Sequence, residues 1–328
     1  MFEISIFLPT KKLDNNELIH ENKTNYQNAL KKLFGVSSRS RCEIFQTGSD
    51  LAEKAANELI SENKFSEIDF LIYCSLGLDY ISPTSSSQLH QKLNLPLNCG
   101  TLDIPSGCTG FIYGLSLIKG FLSSGVASNI LFLMGEVPST SIPKDNLELN
   151  AIFGDAGVAV LICRSEGLKI GNFVFGTDGK GMKYLHVERG GVKNPIDQNW
   201  LEENVNENNK LNRGKLVMDG LEVFRFALER VPTLVDEVLL TNQLTMNEID
   251  LVIFHQAGKQ ILDALKKKCK IPEEKYFEYY ETVGNTVSCS IPIAIHAAVQ
   301  QKRIKKGDKI LLIGFGIGFT WGGTVIEW

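Results

Sequence analysis

A chain of 328 residues with 43% hydrophobic side chains has enough apolar material for one large core or two of ordinary size. A formal net charge of −4 gives no global basic field, which argues against nucleic acid or an anionic membrane as partner, and no run approaches the roughly 18 uninterrupted apolar residues of a membrane span. The seven cysteines, at positions 42, 74, 99, 108, 163, 269 and 289, are odd in number and never fall in CxxC or Cys/His ligand spacing, so a reduced, cytoplasmic protein without structural zinc is expected.

The opening MFEISIFLPT has a short apolar run but no basic leader and no small-residue cleavage site, so no secretory signal is expected. Further along, residues 70–75 (FLIYCS), 130–135 (ILFLMG), 158–163 (VAVLIC), 251–256 (LVIFHQ) and 310–316 (ILLIGFG) read as strands apolar on both faces. Helical patterns separate them, which predicts buried sheets covered by helices. SEIDFLIYCS from Ser66 matches NEIDLVIFHQ from Asn247, and SSGVASNILFLMG ending at Gly135 echoes IKKGDKILLIG ending at Gly314. Two matches in the same order at nearly equal offset predict two similar halves, 1–168 and 169–328.

Within the first half, DIPSGCTGFIYGLSLIKG (103–120) passes from an extended run, through Ser106 and Gly107, into Phe111, Leu115 and Ile118 at helical spacing. Cys108 is thereby expected in the first turn of a buried helix. There, unpaired backbone N–H groups and the helix dipole favour a thiolate and can hold an anionic oxygen beside it. A buried cysteine acting as a small hydrophobe is the alternative. Residues 176–215, with the Asn-rich EENVNENNKLNRG, read mostly as a solvated surface loop. Its end near MDGLEVFRFALERVP could form a lid hinged at Gly220.

In the second half His255 ends the strand LVIFHQAG, where α/β proteins gather catalytic groups, although a lone His there is commonly structural. Asn285 follows Gly284 where a loop opens a helix, and a helix N-cap is its simplest role. The tail GFGIGFTWGG (314–323) lacks the Lys and the helix of a phosphate loop, which leaves its backbone N–H groups as a candidate oxyanion site.

GCTG opening a helix, HQAG after a strand, GN before a helix and GFGIGFTWGG near the carboxyl end form an ordered series. With GSDLAEKAA, IFGDAGVAVLI and MDGLEVFRFALERVP, the chain resembles the ketoacyl-acyl carrier protein synthase III family of the thiolase superfamily. The resemblance implies a thiolate-forming Cys108 that accepts an acyl group, with His255 and Asn285 as its catalytic partners. It implies an oxyanion hole from the backbone of Cys108, Gly316 and Ile317, and an acyl pocket that includes Ser82 and Phe315. It also implies an α/β fold of five layers, αβαβα, and a homodimer formed through the first half, whose segment 78–88 reaches the partner's acyl pocket. No cofactor is held permanently: acyl-CoA or acyl-ACP and malonyl-ACP are the implied substrates, and acyl carrier protein the implied partner.

Departures from the family's pattern are specific. HQAG replaces the usual HQAN, and Gln260 stands where an arginine linked to carrier docking is common, so Lys259, Lys266 and Lys267 are the candidate substitutes for that charge. A solvated helix face is their alternative reading. Where relatives clamp the adenine of coenzyme A with a tryptophan and two arginines, this chain has Ala29, Leu33 and Leu147, and no tryptophan precedes Trp200. A carrier-bound starter is therefore expected in place of free acyl-CoA. The competing readings are an acyltransferase of the same fold that makes an ester or amide, a cysteine hydrolase, and a silent partner subunit. Retention of Asn285 favours condensation over the first, and the presence of all three reactive residues disfavours the last.

Overall fold

The strands of the two halves bury both faces, and their alternation sets the layers. A computed structural model describes residues 2–15, 17–18, 34–63, 68–164, 169–200 and 214–328. In chain order the first half contributes β1 (Phe2–Phe7), β2 (Lys12–Asp14), β3 (Ser38–Ser40), α1 (Gly48–Asn63), β4 (Phe70–Cys74), α2 (Ser85–Lys92), β5 (Gly100–Ile104), α3 (Gly110–Ser124), β6 (Asn129–Glu136), α4 (Leu147–Ile152) and β7 (Ala156–Cys163). The second contributes β8 (Lys169–Ile170), β9 (Val174–Thr177), β10 (Leu185–Val187), β11 (Leu216–Met218), α5 (Gly220–Thr241), β12 (Leu251–Phe254), α6 (Lys259–Lys268), β13 (Tyr276–Phe277), α7 (Ser290–Gln300), β14 (Lys309–Gly316) and β15 (Thr320–Glu327).

The first sheet runs β5-β4-β6-β7-β1, with β4 parallel to β5 and β6 and β7 antiparallel to β6 and β1. The second runs β13-β12-β14-β15-β8 with the same succession of directions. β4 and β12 lie in the first matched pair of sequence segments, β6 and β14 in the second. The repeat is thus a repeat of topology. Residues 165–168, where the expected boundary falls, lie outside the described residues; β7 ends at Cys163 and β8 begins at Lys169.

Period-two alternation sends Ile72 and Cys74 of β4 into a central core and Leu71 and Tyr73 into an outer one. In β12, Leu251 and Ile253 face the same central core, while Val252 and Phe254 face a second outer one. α3 and α7 fill the centre between the sheets, α1 and α2 cover the outside of the first sheet, and α5 carries α6 on the outside of the second. These are the five layers αβαβα. A helix enclosed by two sheets must be apolar all round, as α7 is, with Ser290 to Ile295, Ala297 and Ala298 all buried. Phe111 of α3 stacks on Phe132 of β6 with ring centroids 6.0 Å apart, both fully buried, and each such ring contributes about 1.5–3 kcal/mol.

Two local expectations are corrected. α3 begins at Gly110 with Thr109 as its N-cap, so Cys108 precedes the helix and does not lie in its first turn. The region read as a surface loop at 176–215 is structured at both described ends. β9 adds to β15, a 3-10 helix covers Gly179–Tyr184, and β10 pairs with β11. Leu185 packs there with Val223 and Phe319. Strands this short leave no period to read, and residues 201–213 lie outside the described residues. Among the described residues no helix is long and apolar enough to cross a membrane.

Candidate active site

The pseudo-symmetry brings the starts of α3 and α7 and the carboxyl ends of β12 and β14 to one place. A cavity of about 950 Å³ opens there, lined by Cys108, His255 and Asn285 together with Phe315, Gly316 and Ile317. Cys108 and the Asn285 segment occupy equivalent joints, each just before the central helix of its half.

Cys108 lies against the turn that follows β14. A β-carbon on Gly316 would fall 2.7 Å from both Cβ and Sγ of Cys108, so only glycine allows this approach. The backbone N–H groups of Ile317 and of Cys108 itself donate toward the sulfur. Thr320 Oγ1 donates to the Ile317 carbonyl at 2.8 Å and lies 3.0 Å from Thr109 Oγ1, which ties the turn to the cap of α3. Burial nevertheless pushes the Cys108 thiol up to about 12. Burial thus favours the neutral thiol, because desolvation outweighs the donors that a helix start was expected to use in favour of a thiolate.

His255 is buried at the end of β12, with its Nδ1 2.7 Å from Ser290 Oγ. That hydroxyl also accepts the Gln256 backbone N–H at 3.4 Å, and the tautomer in which its own proton goes to Nδ1 places the imidazole proton on Nε2. Burial drives the ring down to about 3, which keeps it neutral, and its edge meets Phe315 with centroids 5.6 Å apart. Gln256 locks the loop behind it, donating to the Phe254 carbonyl at 2.6 Å and accepting from the Tyr279 N–H at 2.7 Å.

Asn285 is held by the first half through its backbone. Its N–H donates to Ile152 and its carbonyl accepts from Gly154, at 2.9 and 3.0 Å. Its Oδ1 accepts the Val287 N–H at 3.0 Å in an Asx turn that orients the Nδ2 hydrogens away from the turn, whereas the N-cap role expected of it falls to Thr286 for the 3-10 helix Val287–Cys289 and to Cys289 for α7. Val287 has φ +53°, an outlier for a β-branched residue that costs about 1–3 kcal/mol and persists only where its surroundings enforce it.

Two residues of the site escaped the sequence reading. Ser290 was indistinguishable from a helix-start serine. Glu136, at the end of β6, is 4% exposed and lines the cavity. It accepts Ser288 Oγ–H at 2.6 Å and the backbone N–H groups of Leu76 and Ser288, while burial pushes its carboxyl up to about 8. Its only sequence signal was a charge directly after the apolar run ILFLMG.

The other expected residues are spread between the cavity and the surface. Phe315 lines the cavity, but Ser82 is exposed and off the wall of its own chain. Leu76 to Ile81 form an exposed rim of the cavity, and Ser82 follows beyond them. Gly258, with φ +117°, and Gln260 line the cavity. Lys259 pairs with Asp263 at 2.9 Å and Lys266 with Glu273 at 2.8 Å, so two of the three docking lysines have their charge offset locally, and Lys267 is exposed. Leu147 packs beside Ala151 and Phe34, whereas Ala29 and Leu33 lie outside the described residues.

The chain matches the domain family 3-oxoacyl-[acyl-carrier-protein (ACP)] synthase III over residues 102–179 and its C-terminal domain over residues 239–328. It is 33% identical over 297 residues to the beta-ketoacyl-[acyl-carrier-protein] synthase III of Caldanaerobacter subterraneus subsp. tengcongensis, covering 90% of this chain and 87% of that one. A crystal structure of a 3-oxoacyl-(acyl-carrier-protein) synthase III superposes with a TM-score of 0.93 at 33% identity, over 99% of this chain and 98% of the other. The priming beta-ketosynthase of the R1128 polyketide biosynthetic pathway superposes with a TM-score of 0.85 at 26% identity, over 99% and 94%.

The Gly316 contact sets a test. Gly316→Ala should lower the rate of acylation at Cys108 by about 100-fold or more, the scale of a misplaced reacting atom, with an unchanged far-UV circular dichroism spectrum. Intact-mass time courses with an acyl thioester check it, and wild-type acylation by the variant would refute the geometry.

Proposed function

The chain belongs to the beta-ketoacyl-[acyl-carrier-protein] synthase III family of condensing enzymes, and we propose that it joins an acyl starter to malonyl-acyl carrier protein through Cys108, His255 and Asn285. The observation that carries this reading is one cavity lined by the Cys108 thiol, an imidazole whose Nδ1 meets Ser290 Oγ and an amide whose Oδ1 accepts the Val287 N–H.

In the first step the Cys108 sulfur attacks the starter thioester. The N–H groups of Cys108 and Ile317 hold the tetrahedral oxyanion, and the thiol proton leaves with the carrier's sulfur. In the second, the malonyl thioester loses carbon dioxide and the electrons of the broken C–C bond form an enolate. His255 and Asn285 donate hydrogen bonds to the enolate oxygen, and its carbon attacks the acyl carbonyl and expels Cys108. Burial of the site favours this step, because the charge moves from a well-hydrated carboxylate onto the enolate as neutral carbon dioxide leaves, and bulk water would protonate that enolate. An imidazole with a pKa of about 3 and an amide are donors and not bases, which weighs against ester or amide formation, where an alcohol or amine must lose a proton.

Two further elements belong to the reading. A homodimer is supported by β5, an edge strand of the first sheet, and by exposed Leu78, Tyr80 and Ile81 beside the cavity. The setting is the cytoplasm, where free thiols such as Cys108 stay reduced, and the product enters fatty acid or polyketide-type chain growth.

Two variants separate the steps. Cys108→Ala should abolish both acylation and condensation, whereas Asn285→Ala should acylate at close to the wild-type rate while condensation falls by about 100-fold, the loss typical of one oxyanion-type donor. Intact-mass kinetics with product chromatography check this, and equal loss of both steps in Asn285→Ala would contradict the division of roles.

The starter is proposed to arrive on a phosphopantetheine carrier protein. Without the aromatic and arginine clamp, coenzyme A forgoes about 1–3 kcal/mol of stacking, or about one to two orders of magnitude in affinity. The same acyl group offered on carrier protein should acylate Cys108 at a KM at least about 10-fold lower than on coenzyme A. A micromolar KM for the coenzyme A thioester and a clear preference for it would reverse the assignment.

A further inference from the structure

Glu136 is a carboxyl of the first half buried against the segment of the second half that carries Asn285 and Ser290. In the internal repeat it stands where Phe315 stands in β14, at the end of the strand next to the cavity. Its hydrogen bonds run in two directions. One goes to the backbone N–H of Leu76, at the start of the segment that rims the cavity, and two go to the hydroxyl and backbone N–H of Ser288.

The residues around Ser288 show what those bonds hold. On one side Asn285 is pinned by Ile152 and Gly154, and on the other Ser290 meets the His255 ring. Between them Val287 adopts a left-handed backbone that its branched side chain disfavours. A strained residue is kept in place by anchors on both flanks. Asn285 supplies the anchor before Val287, and the Glu136 bonds to Ser288 supply the one after it.

We propose that Glu136 is a positioning residue for condensation: its carboxyl anchors the Val287–Ser288 turn to the first half and thereby aims the Asn285 amide, and Ser290 with the His255 ring, at the enolate oxygen of the extender beside Cys108. The inference rests on the assignment of Asn285 and His255 as the enolate donors. Acylation needs Cys108 and the Gly316–Ile317 turn, to which Glu136 makes no hydrogen bond; it acts on the Cys108 thiol only through a charge that burial suppresses and that is a smaller cause than desolvation, so the two half-reactions respond differently to its loss. Burial favours the protonated carboxyl near neutral pH, which makes glutamine the conservative replacement: it keeps a carbonyl oxygen for Ser288 without a charge.

The test measures Cys108 acylation by intact mass and condensation by product formation in wild type, Glu136→Ala, Glu136→Gln, Ser288→Ala and the Glu136→Ala/Ser288→Ala double variant, with Asn285→Ala in parallel. Glu136→Ala should acylate within about 3-fold of wild type and condense at least about 10-fold more slowly, and Glu136→Gln should recover most of the condensation rate. The double variant should be no slower than Glu136→Ala alone, because both substitutions break the same link. Normal condensation in Glu136→Ala, equal loss of both half-reactions, failure of Glu136→Gln to recover, or additive losses in the double variant would each overturn the proposal. If Asn285→Ala condenses normally, the donor assignment itself has failed. If Asn285→Ala is defective and Glu136→Ala is not, only the anchoring role has failed.

Discussion

The approach of Cys108 to the Gly316–Ile317 turn brings the two halves of the molecule to within one van der Waals contact, since a single β-carbon at Gly316 would fall 2.7 Å from the sulfur. The sulfur belongs to the start of α3 and the turn to the end of β14, so every element that sets the relative position of the two sheets also sets this contact. The central core, shared by both sheets and by the helices between them, is what makes the position reproducible. A close-packed interior transmits small displacements instead of absorbing them, and the site is built where that property is most useful.

Burial has a second consequence, which is electrical. Cys108, His255 and Glu136 are all driven toward their neutral forms by loss of water, the thiol and the carboxyl upward and the imidazole downward. A site of neutral groups suits a reaction in which charge appears transiently on oxygen. Hydrogen bonds from neutral donors such as an imidazole and an amide gain strength in a low dielectric without the desolvation cost of a fixed ion. The neutral state of the imidazole thus favours a hydrogen-bond donor over a proton carrier, and a condensing reaction over ester or amide formation.

Much of this was legible in the sequence because it was written in long-range order. The repeated apolar segments at 66–75 and 247–256 mark equivalent strands, and Cys108, His255, Asn285 and the Gly316–Ile317 turn fall where a strand or a helix starts or ends. Other features left no such trace. Ser290 looks like any serine at a helix start, and Glu136 like any charge after a strand, because their meaning lies in partners 35 and 152 positions away. The cavity wall from Leu185 to Gly191 and from Leu216 to Met218 consists of pieces too short for a period. The surroundings of Ser82 and of the lysines of α6 were not legible for a different reason: direction of a loop and pairing of a surface charge are decided by neighbours in space.

The central claim is that carbon-carbon bond formation follows acylation of Cys108 in one cavity. It is tested most directly by a single-turnover experiment on enzyme loaded with one acyl group at Cys108 and mixed with carboxyl-labelled malonyl-carrier protein. The account predicts one released carbon dioxide for each 3-oxoacyl product formed and each Cys108 returned to free thiol. Loss of the acyl group from Cys108 to water, or its transfer to an alcohol or amine, without matching carbon dioxide release would contradict it.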